Sequence, residues 1–336
     1  MHQLGLFDDL PEPTAAEGRR GPIPAPAAPG SEIASLAARL DPRLRLGTSS
    51  WSFPGWAGLV YAGPESTQAL SRQGLAAYSR HPLLRTVAVD SGFYAPLDAR
   101  RLAGYADQTP ADFRFLVKAP ALITDAVRRD ARGRALEPNP GFLDPVRAAE
   151  LAVGPYVEGL GERAGVLLFQ FPPLGRPLAE APRRFAEDLY RFLRRLPTGP
   201  VYAVEVRDSA LLTPDLAAAL HHGGAVPGLA VHPRLPPIGD QLAWLAAGPE
   251  DPDRRRPLIL RWLLRRNRGY REAQGLYQPF DRLAEPDPAT RAALAGAIGA
   301  ALAAGRECLV IANNKAEGSA PLTLAALARA VVGSAR

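Results

Sequence analysis

Polar and charged residues follow most of the apolar, strand-like runs of this 336-residue sequence, at the point where each run ends. They are Asp90, Lys118, Gln170, Glu205, Arg207, His232, Arg261, Asn313 and Asn314. Burying such groups without partners is unfavourable, so the set is expected to form either a ligand-binding site or a polar network that satisfies itself. Its carboxylates, amine and guanidinium groups offer acid–base, nucleophilic and anion-binding chemistry.

Two carboxylates are the first candidates for catalysis. Asp90 and Glu205 could act as acid and base on either side of a substrate, as in glycoside hydrolysis. Trp51, Trp56 and Tyr94 would then supply stacking surfaces for a sugar or a nucleobase. Asp90, Glu205 and the lysine discussed next are therefore the candidate catalytic residues.

Lys118 is one of only two lysines in the chain, the other being Lys315. Lysines that form imines with carbonyl substrates occur at barrel strand ends, so Lys118 is a candidate for that chemistry. No sequence feature marks Lys118 as desolvated, and a phosphate ligand or a charge partner for Glu205 is the favoured role. A salt bridge from Glu205 to Arg207 or Lys118 is likewise favoured over an acid–base role for Glu205.

Metal chemistry has few candidate ligands in this sequence. The single cysteine, Cys308, excludes internal disulfides and cysteine-based zinc sites. Only His232 stands at a strand end, which argues against the multinuclear zinc centre of endonuclease IV-type barrels. One divalent metal ion on Asp90, Glu205 and His232 is conceivable, and the cofactor is otherwise unknown.

An arginine- and tyrosine-rich segment follows the seventh strand-like run. Its candidate phosphate or nucleic-acid ligands are Arg265, Arg266, Arg268, Tyr270 and Arg271. Guanidinium forks and aromatic faces suit a phosphodiester with exposed bases. A second cluster, Arg128–Arg134, follows the third run, and the formal net charge of +6 is compatible with a nucleic-acid partner. The equally weighted alternative is a basic surface loop in an arginine-biased sequence.

Eight strand-like runs alternate with helix-like segments, which predicts a (β/α)8 TIM barrel. The predicted strands are Leu44–Thr48, Thr86–Asp90, Phe113–Lys118, Val166–Gln170, Val201–Glu205, Pro227–His232, Leu258–Arg261 and Cys308–Asn313. The predicted helices are Thr67–Arg80, Asp98–Asp107, Asp144–Leu160, Ala179–Leu196, Thr213–His222, Gln241–Ala246, Pro288–Ala304 and Leu322–Val332. In such a barrel all strand carboxyl ends lie on one face, so the polar residues should converge there. In the first loop, Trp51 is predicted to form a stacking wall beside them, with Trp56 and Tyr61 as an apolar plug.

Residues 1–42 are predicted to be a flexible tail, rich in Pro, Ala and Gly, ahead of a barrel domain over residues 43–336. The segment Gln3-Leu4-Gly5-Leu6-Phe7 matches the short motif by which bacterial replication and repair proteins dock on the DNA sliding clamp. Gln3, Leu4, Leu6 and Phe7 are the predicted clamp contacts, and a chance pentapeptide is the alternative. No run suggests a signal peptide or a membrane span, so a cytoplasmic location without membrane association is expected.

The sequence from Arg43 to the end resembles the YecE-like family, domain of unknown function 72. The matching blocks are GTSSWSFPGWAGLVY, DSGFY, FRFLVKAP, ITD, GVLLFQFPP, AVEVRD and NNKAEGSAP. The resemblance implies a TIM barrel and leaves the reaction open. The chain departs from the family pattern at Ala88, Asp90, Asp125, Asp208, Leu263-Leu264 and Lys315. Several of these positions carry His in the family, so chemistry that depended on those histidines would be lost or altered here.

Three functions therefore compete on the sequence alone. The leading hypothesis is a nucleic-acid-associated protein recruited by the sliding clamp, with a phosphodiesterase or base-processing activity. The alternative is an enzyme that acts on a small phosphorylated or sugar-like ligand at the carboxyl-terminal face of the barrel. The third is a non-catalytic adaptor bound to the clamp.

Overall fold

The computed structural model describes residues 23–130, 132–248 and 256–334. Within these ranges eight parallel strands close into a barrel, in which each strand pairs with its predecessor and successor and the last pairs with the first. The described residues form ten strands, of which all but β4 and β5 belong to the barrel: β1 Leu44–Thr48, β2 Leu84–Val89, β3 Arg114–Lys118, β4 Val127–Arg129, β5 Ala135–Pro138, β6 Ala164–Phe171, β7 Tyr202–Val206, β8 Val226–Val231, β9 Leu258–Trp262 and β10 Cys308–Ala312. The TIM-barrel prediction and all eight predicted strands are confirmed, while β4 and β5 form a separate antiparallel hairpin.

Helices surround the barrel and connect its strands. They are α1 Ser31–Ala38, α2 Thr67–Gln73, α3 Leu75–Tyr78, α4 Ala99–Ala106, α5 Ala121–Thr124, α6 Pro145–Ala148, α7 Gly154–Leu160, α8 Arg176–Ala179, α9 Pro182–Leu193, α10 Pro214–Gly223, α11 Ile238–Ala246, α12 Tyr270–Tyr277, α13 Pro288–Ala303 and α14 Ala320–Ser334. The predicted helix Thr67–Arg80 is divided at Gly74, and a π-helical stretch, Ala149–Val153, joins α6 to α7. Among the described residues, no helix is both long and apolar enough to cross a membrane.

Helix α1 lies inside the region predicted to be a flexible tail. Leu36 is buried, and Glu32 accepts a hydrogen bond from Arg329 of α14 at 2.8 Å. The sequence around α1 is rich in Ala and Pro, so the apolar face of this helix could not be recognised from the residue pattern. The clamp-motif residues Gln3, Leu4, Leu6 and Phe7 lie outside the described residues.

The strands alternate between the barrel lumen and the layer beneath the helices. Inward-facing side chains of the lower lumen form an apolar cluster, made of Ala88, Leu116, Val166, Leu168, Ala203, Val226, Ile259, Leu309 and Ile311. Outward-facing neighbours such as Leu46, Val117 and Leu260 belong to the larger core under the helices. This period of two fixes which residues at the strand ends face the lumen.

Gly47 allows β1 and β2 to approach closely. The strand register shifts between Leu46 and Gly47, and a Cβ atom on Gly47 would lie 1.9 Å from the carbonyl oxygen of Thr86. The buried Tyr78 hydroxyl bridges the irregularity: it accepts from the Thr48 amide and donates to the Thr86 carbonyl, both at 3.0 Å. The carboxyl ends of these two strands are thereby fixed beside each other.

Candidate functional site

The carboxyl ends of β2, β3, β6, β7 and β9 bring six of the predicted residues into the upper lumen. These are Asp90, Lys118, Gln170, Glu205, Arg207 and Arg261, and all six are buried. Gln170 is paired in register with Glu205, and Asp90 follows the register pair Val89–Val117 directly, beside Lys118. The alternation that places Leu116 and Leu168 in the lumen therefore places the polar residues directly above the apolar cluster.

Arg261 is the centre of this network. Its Nη1 donates to Glu205 Oε2 at 3.1 Å, and its Nη2 donates to both carboxylate oxygens of Asp90 at 3.3 and 3.4 Å. The side chain is only 1% exposed. One guanidinium group thus spans the lumen from β9 to both carboxylates.

Glu205 has a second arginine partner. Arg207 Nη2 lies 2.6 Å from Glu205 Oε1, as an ion pair and not as an aligned hydrogen bond. Burial by itself raises the pKa of Glu205, but the charges of Arg207 and Arg261 outweigh burial, so its pKa is lowered overall. The predicted internal salt bridge from Glu205 to Arg207 is confirmed. Glu205 is held ionised, which suits it for fixing the arginines and not for donating a proton.

Lys118 is 5% exposed, and its surroundings differ from those expected. Its Nζ lies 3.9 Å from the centroid of the Phe93 ring, and among the described residues its side chain forms no ion pair with a carboxylate. Burial lowers the pKa of Lys118 to about 7; Asp90 opposes this shift, and Arg261 and Arg207 add to it. Lys118 forms no direct ion pair with Glu205, whose two ion pairs go to arginines, although the Glu205 charge still raises the pKa of Lys118.

The Phe93 ring is positioned by the turn that follows β2. Residues Asp90–Phe93 form a 3-10 turn, and a Cβ atom on Gly92 would lie 2.6 Å from the Lys118 carbonyl oxygen. Glycine therefore lets this turn pack directly on the end of β3. Phe93 stands in the quoted DSGFY block, but its contact with Lys118 could not be predicted from the sequence.

Four buried N–H donors of the upper lumen have no acceptor among the described residues. They are Gln170 Nε2, Arg207 Nε, Arg207 Nη1 and Arg261 Nε. Buried donors in folded proteins nearly always have a partner, supplied by the protein, by ordered water or by a ligand. Within the described part of the chain, the network leaves these four donors and one acceptor atom, Glu205 Oε1, without a hydrogen-bond partner. The excess of unpartnered donors favours a ligand rich in acceptor oxygens.

The two asparagines after β10 have structural partners. Asn314 Oδ1 accepts from Trp56 Nε1 at 3.2 Å and from the Ala320 amide at 2.8 Å, which joins the first loop to the start of α14. Asn313 Oδ1 accepts from the Lys315 amide at 2.9 Å. The side-chain oxygens of both asparagines are thus engaged within the protein and not offered to a ligand.

The predicted stacking wall of Trp51 is not supported by its position. Trp51 is 7% exposed, donates its indole N–H to the Leu70 carbonyl at 3.1 Å and packs edge-on against Tyr105 at 5.2 Å. Its ring belongs to the core beneath α2 and α4, because an aromatic residue in a loop can turn to either side of the sheet. Trp56 and Tyr61 are buried as the predicted plug, and Tyr61 donates to the Trp51 carbonyl.

Tyr94 and His232 mark the rim of the site. Tyr94 is 52% exposed and packs edge-on against Phe93 at 5.4 Å, so of the predicted stacking residues it alone offers a face to solvent in the described part of the chain. His232 Nδ1 accepts from the Arg234 amide at 3.1 Å, and burial, reinforced by Arg207, lowers the pKa of His232 to about 3. The imidazole is therefore neutral at physiological pH.

A metal ion on Asp90, Glu205 and His232 does not fit this geometry. Both carboxylates are bound to Arg261, and one nitrogen of His232 is used by a backbone amide. Over the described ranges, no group of three or more His, Cys, Asp and Glu side chains is arranged to hold a metal ion.

A family model described as "Protein of unknown function DUF72" matches residues 45–335. The chain belongs to the DUF72 family. No curated protein matches it. The chain is similar to the crystal structure of a DUF72 family protein from Thermotoga maritima, with 19% identity and a TM-score of 0.54, covering 86% of this chain and 99% of the other. It is also similar to a DUF72 family protein from Enterococcus faecalis, with 16% identity and a TM-score of 0.54, covering 86% and 95%. At these identities the likeness shows the fold alone.

In this DUF72 protein, three side chains at positions expected to depart from the family pattern, Asp125, Asp208 and Lys315, have structural partners. Asp125 pairs with Arg129 at 2.6 Å. Asp208 accepts from the Leu174 amide at 2.7 Å and from Arg234 at 3.2 Å. Lys315 Nζ lies 4.2 Å from the centroid of the Tyr270 ring. These side chains hold the loops around the barrel mouth in place.

The arginine-rich segment after β9 is largely neutralised by acidic residues of the same DUF72 chain. Arg268 pairs with Glu272 and with Glu285, and Arg265 donates to the Glu285 carbonyl at 2.8 Å. Arg266 is exposed and donates to the Leu235 carbonyl at 3.1 Å, and Arg271 is exposed on α12. Glu285 could not be predicted as the partner of Arg265 and Arg268, because it lies 17 residues after Arg268 and stands in no motif.

The second predicted basic cluster, Arg128–Arg134, belongs to the β4–β5 hairpin and its turn. Arg128 pairs with Glu137 at 2.8 Å, and Arg134 pairs with Asp130 at 2.7 Å. These pairs reduce the positive field that the arginine count suggests.

Proposed function

We propose that this DUF72 protein binds a small anionic molecule, a phosphorylated or carboxylated metabolite, at the carboxyl-terminal mouth of its barrel. The observation that carries the proposal is the set of four buried N–H donors without acceptors on Gln170, Arg207 and Arg261. Arginine guanidinium groups bind phosphate and carboxylate oxygens well, and the ligand sites of TIM barrels lie on this face. Lys118 and Asp90 then stand beside the bound molecule as the candidate reactive groups.

Calorimetric titration with inorganic phosphate and with citrate tests the proposal. Gln170→Leu removes one unpartnered donor without breaking an ion pair, and we expect it to weaken anion binding about tenfold, the value of one hydrogen bond to a charged group. Thr323→Val is the matched control, because Thr323 Oγ1 is also buried and unpartnered but lies on α14. Equal affinities of the wild type and Gln170→Leu, or no binding of either anion, would contradict the proposal.

The clamp-associated, nucleic-acid-linked function is the second candidate. The complete match of Gln3, Leu4, Leu6 and Phe7 to the clamp-docking pattern supports it, together with the exposed Arg266 and Arg271. Purified sliding clamp should retain the full chain and lose a chain that lacks residues 1–10. Equal retention of the two chains would rule out recruitment through this motif.

A further inference from the structure

The anion site alone does not explain two features of Lys118: its position at the end of β3, and the lack of an ion pair with a carboxylate among the described residues. It ends β3 with its side chain in the upper lumen, and Asp90 stands beside it at the end of β2. Gln170 lies on the neighbouring strand β6, two residues beyond the register partner of Lys118, which is Leu168. Two residues of strand span about 7 Å, so the backbone positions of Lys118 and Gln170 are offset along the barrel by about the length of a small molecule.

The environment of Lys118 favours a neutral amine. The carboxylates of Asp90 and Glu205 are bound to Arg261 and Arg207, and the charges of these two arginines oppose an ammonium at Lys118. The charge of Asp90 and the face of the Phe93 ring, 3.9 Å from Nζ, act in the opposite direction because both attract an ammonium, and burial outweighs them. Burial lowers the pKa of Lys118 to about 7, so a large fraction of the amine is unprotonated at neutral pH. An unprotonated amine is the nucleophilic form of lysine.

We propose that Lys118 forms an imine with a small aldehyde or ketone that carries a carboxylate or phosphate group. This inference rests on the proposed anion site, which would bind the charged group through Gln170 and Arg207. The spacing of about 7 Å along the strand selects a compound of few carbons, such as a short keto acid or a phosphorylated ketose.

The reaction balances without a further reagent. The lone pair of Nζ forms a bond to the carbonyl carbon, and the carbonyl π electrons move to oxygen. A proton passes from nitrogen to that oxygen, giving a carbinolamine. The hydroxyl group then leaves with a proton as water, and the C=N bond forms. Water is the only product released, and no atom is oxidised or reduced.

Reductive trapping tests the proposal directly. The full chain is incubated at neutral pH with pyruvate, with dihydroxyacetone phosphate, or with acetone as a neutral control, in the presence of cyanoborohydride. Because the chain has only two lysines, peptide mapping assigns every adduct to Lys118, Lys315 or the amino terminus. We expect the anionic carbonyls to label Lys118 at least about tenfold faster than Lys315, and faster than acetone does.

Two variants provide controls for the assignment. Lys118→Arg should lose the adduct, with Lys118→Met as a substitute if the arginine variant does not fold. Lys315→Arg should keep the adduct. Equal labelling of Lys118 and Lys315, or labelling of Lys315 alone, would overturn the proposal.

The outcomes for the two proposals are distinguishable by calorimetry. If phosphate binds but Lys118 is not labelled, the imine proposal fails and the anion site stands. If Lys118 is labelled equally by acetone and pyruvate and no anion binds, the amine is reactive but the anion site and the proposed substrate class both fail.

Discussion

Arg261 is the residue whose removal should most disturb the barrel mouth. It is the common partner of Asp90 and Glu205, and breaking a buried ion pair from one side leaves an uncompensated charge. We expect Arg261→Met to lower the free energy of unfolding by about 3–5 kcal/mol in urea titrations. Arg329→Met, which breaks only the surface pair with Glu32, should cost less than about 1 kcal/mol. Similar losses in the two variants would show that Arg261 does not hold the network.

The lowered pKa of Lys118 predicts how the free energy of unfolding changes with pH. Its pKa is about 7 in the folded chain, below the value of about 10.4 for an unfolded lysine. Between these values the unfolded chain binds more protons, so the burial of Lys118 is most unfavourable near pH 7 and below, and the penalty declines as the pH rises towards 10.

Lys118→Met removes this penalty. The variant should be more stable than the wild type at pH 7, by about 1–4 kcal/mol, and the difference should shrink towards pH 10. Urea unfolding of both proteins at several pH values measures the difference directly. A difference that stays constant over this range would mean that Lys118 is not desolvated.

At the scale of elements, the segment after β9 forms a cover over part of the barrel mouth. Arg265 N donates to the Lys315 carbonyl at 3.1 Å, and Phe280 packs edge-on against Phe53 of the first loop at 5.7 Å. Glu285 pins this segment by accepting from Arg268 and from Tyr277. The cover is therefore held both by the Glu285 carboxylate and by an apolar cluster of Leu264, Ala273, Tyr277 and Phe280.

Glu285→Gln tests the role of this carboxylate. The variant keeps a hydrogen-bond acceptor and loses the charge, so amide hydrogen exchange over residues 265–285 should become faster while the barrel strands keep their protection. Glu32→Gln, which alters the surface pair with Arg329, is the matched control and should leave the segment unchanged. If amide exchange in Glu285→Gln is unchanged, the apolar contacts of the segment, and not Glu285, hold it on the barrel.

At the scale of the whole molecule, the barrel was predictable because its signal is local and repeated. Each strand-like run with its following helix could be recognised alone, and parallel strands bring their carboxyl ends to one face whatever the details. The convergence of Asp90, Lys118 and Glu205 followed from that rule. The pair of Glu205 with the nearby Arg207 was also predicted, but the pairs with Arg261 were not. Arg261 is 56 residues from Glu205 and 171 from Asp90, and sequence distance carries no information about which charges meet across a lumen.

Two further features could not be predicted from the sequence: the direction in which a loop side chain points, and the neutralisation of the arginines after β9. Trp51 could face the lumen or the helices with the same local sequence, and packing against Tyr105 decided the outcome. The arginines after β9 suggested a basic surface until Glu285, further along the chain, proved to be their partner. Charge composition therefore overstated the positive field at the mouth.

Because ion pairs neutralise part of this segment, few of its arginines can contact phosphates. Any nucleic-acid binding by the segment can therefore be tested through its dependence on salt concentration. Each phosphate contact contributes a slope of roughly −0.7 to a plot of log K against log salt for single strands. Only Arg266 and Arg271 of the predicted segment arginines are exposed, so changing both to Ala should reduce the slope by about one to two.

Changing Arg183 and Arg184 of α9 to Ala removes the same net charge from an outer helix and should leave the slope nearly unchanged. Fluorescence anisotropy of a labelled single-stranded oligonucleotide, followed over a salt series, compares the three proteins. Equal slopes in both double variants would show diffuse attraction by the net charge of +6 and no interface at the mouth. Absence of binding at the lowest salt would remove the nucleic-acid hypothesis and leave the small anionic ligand as the function to pursue.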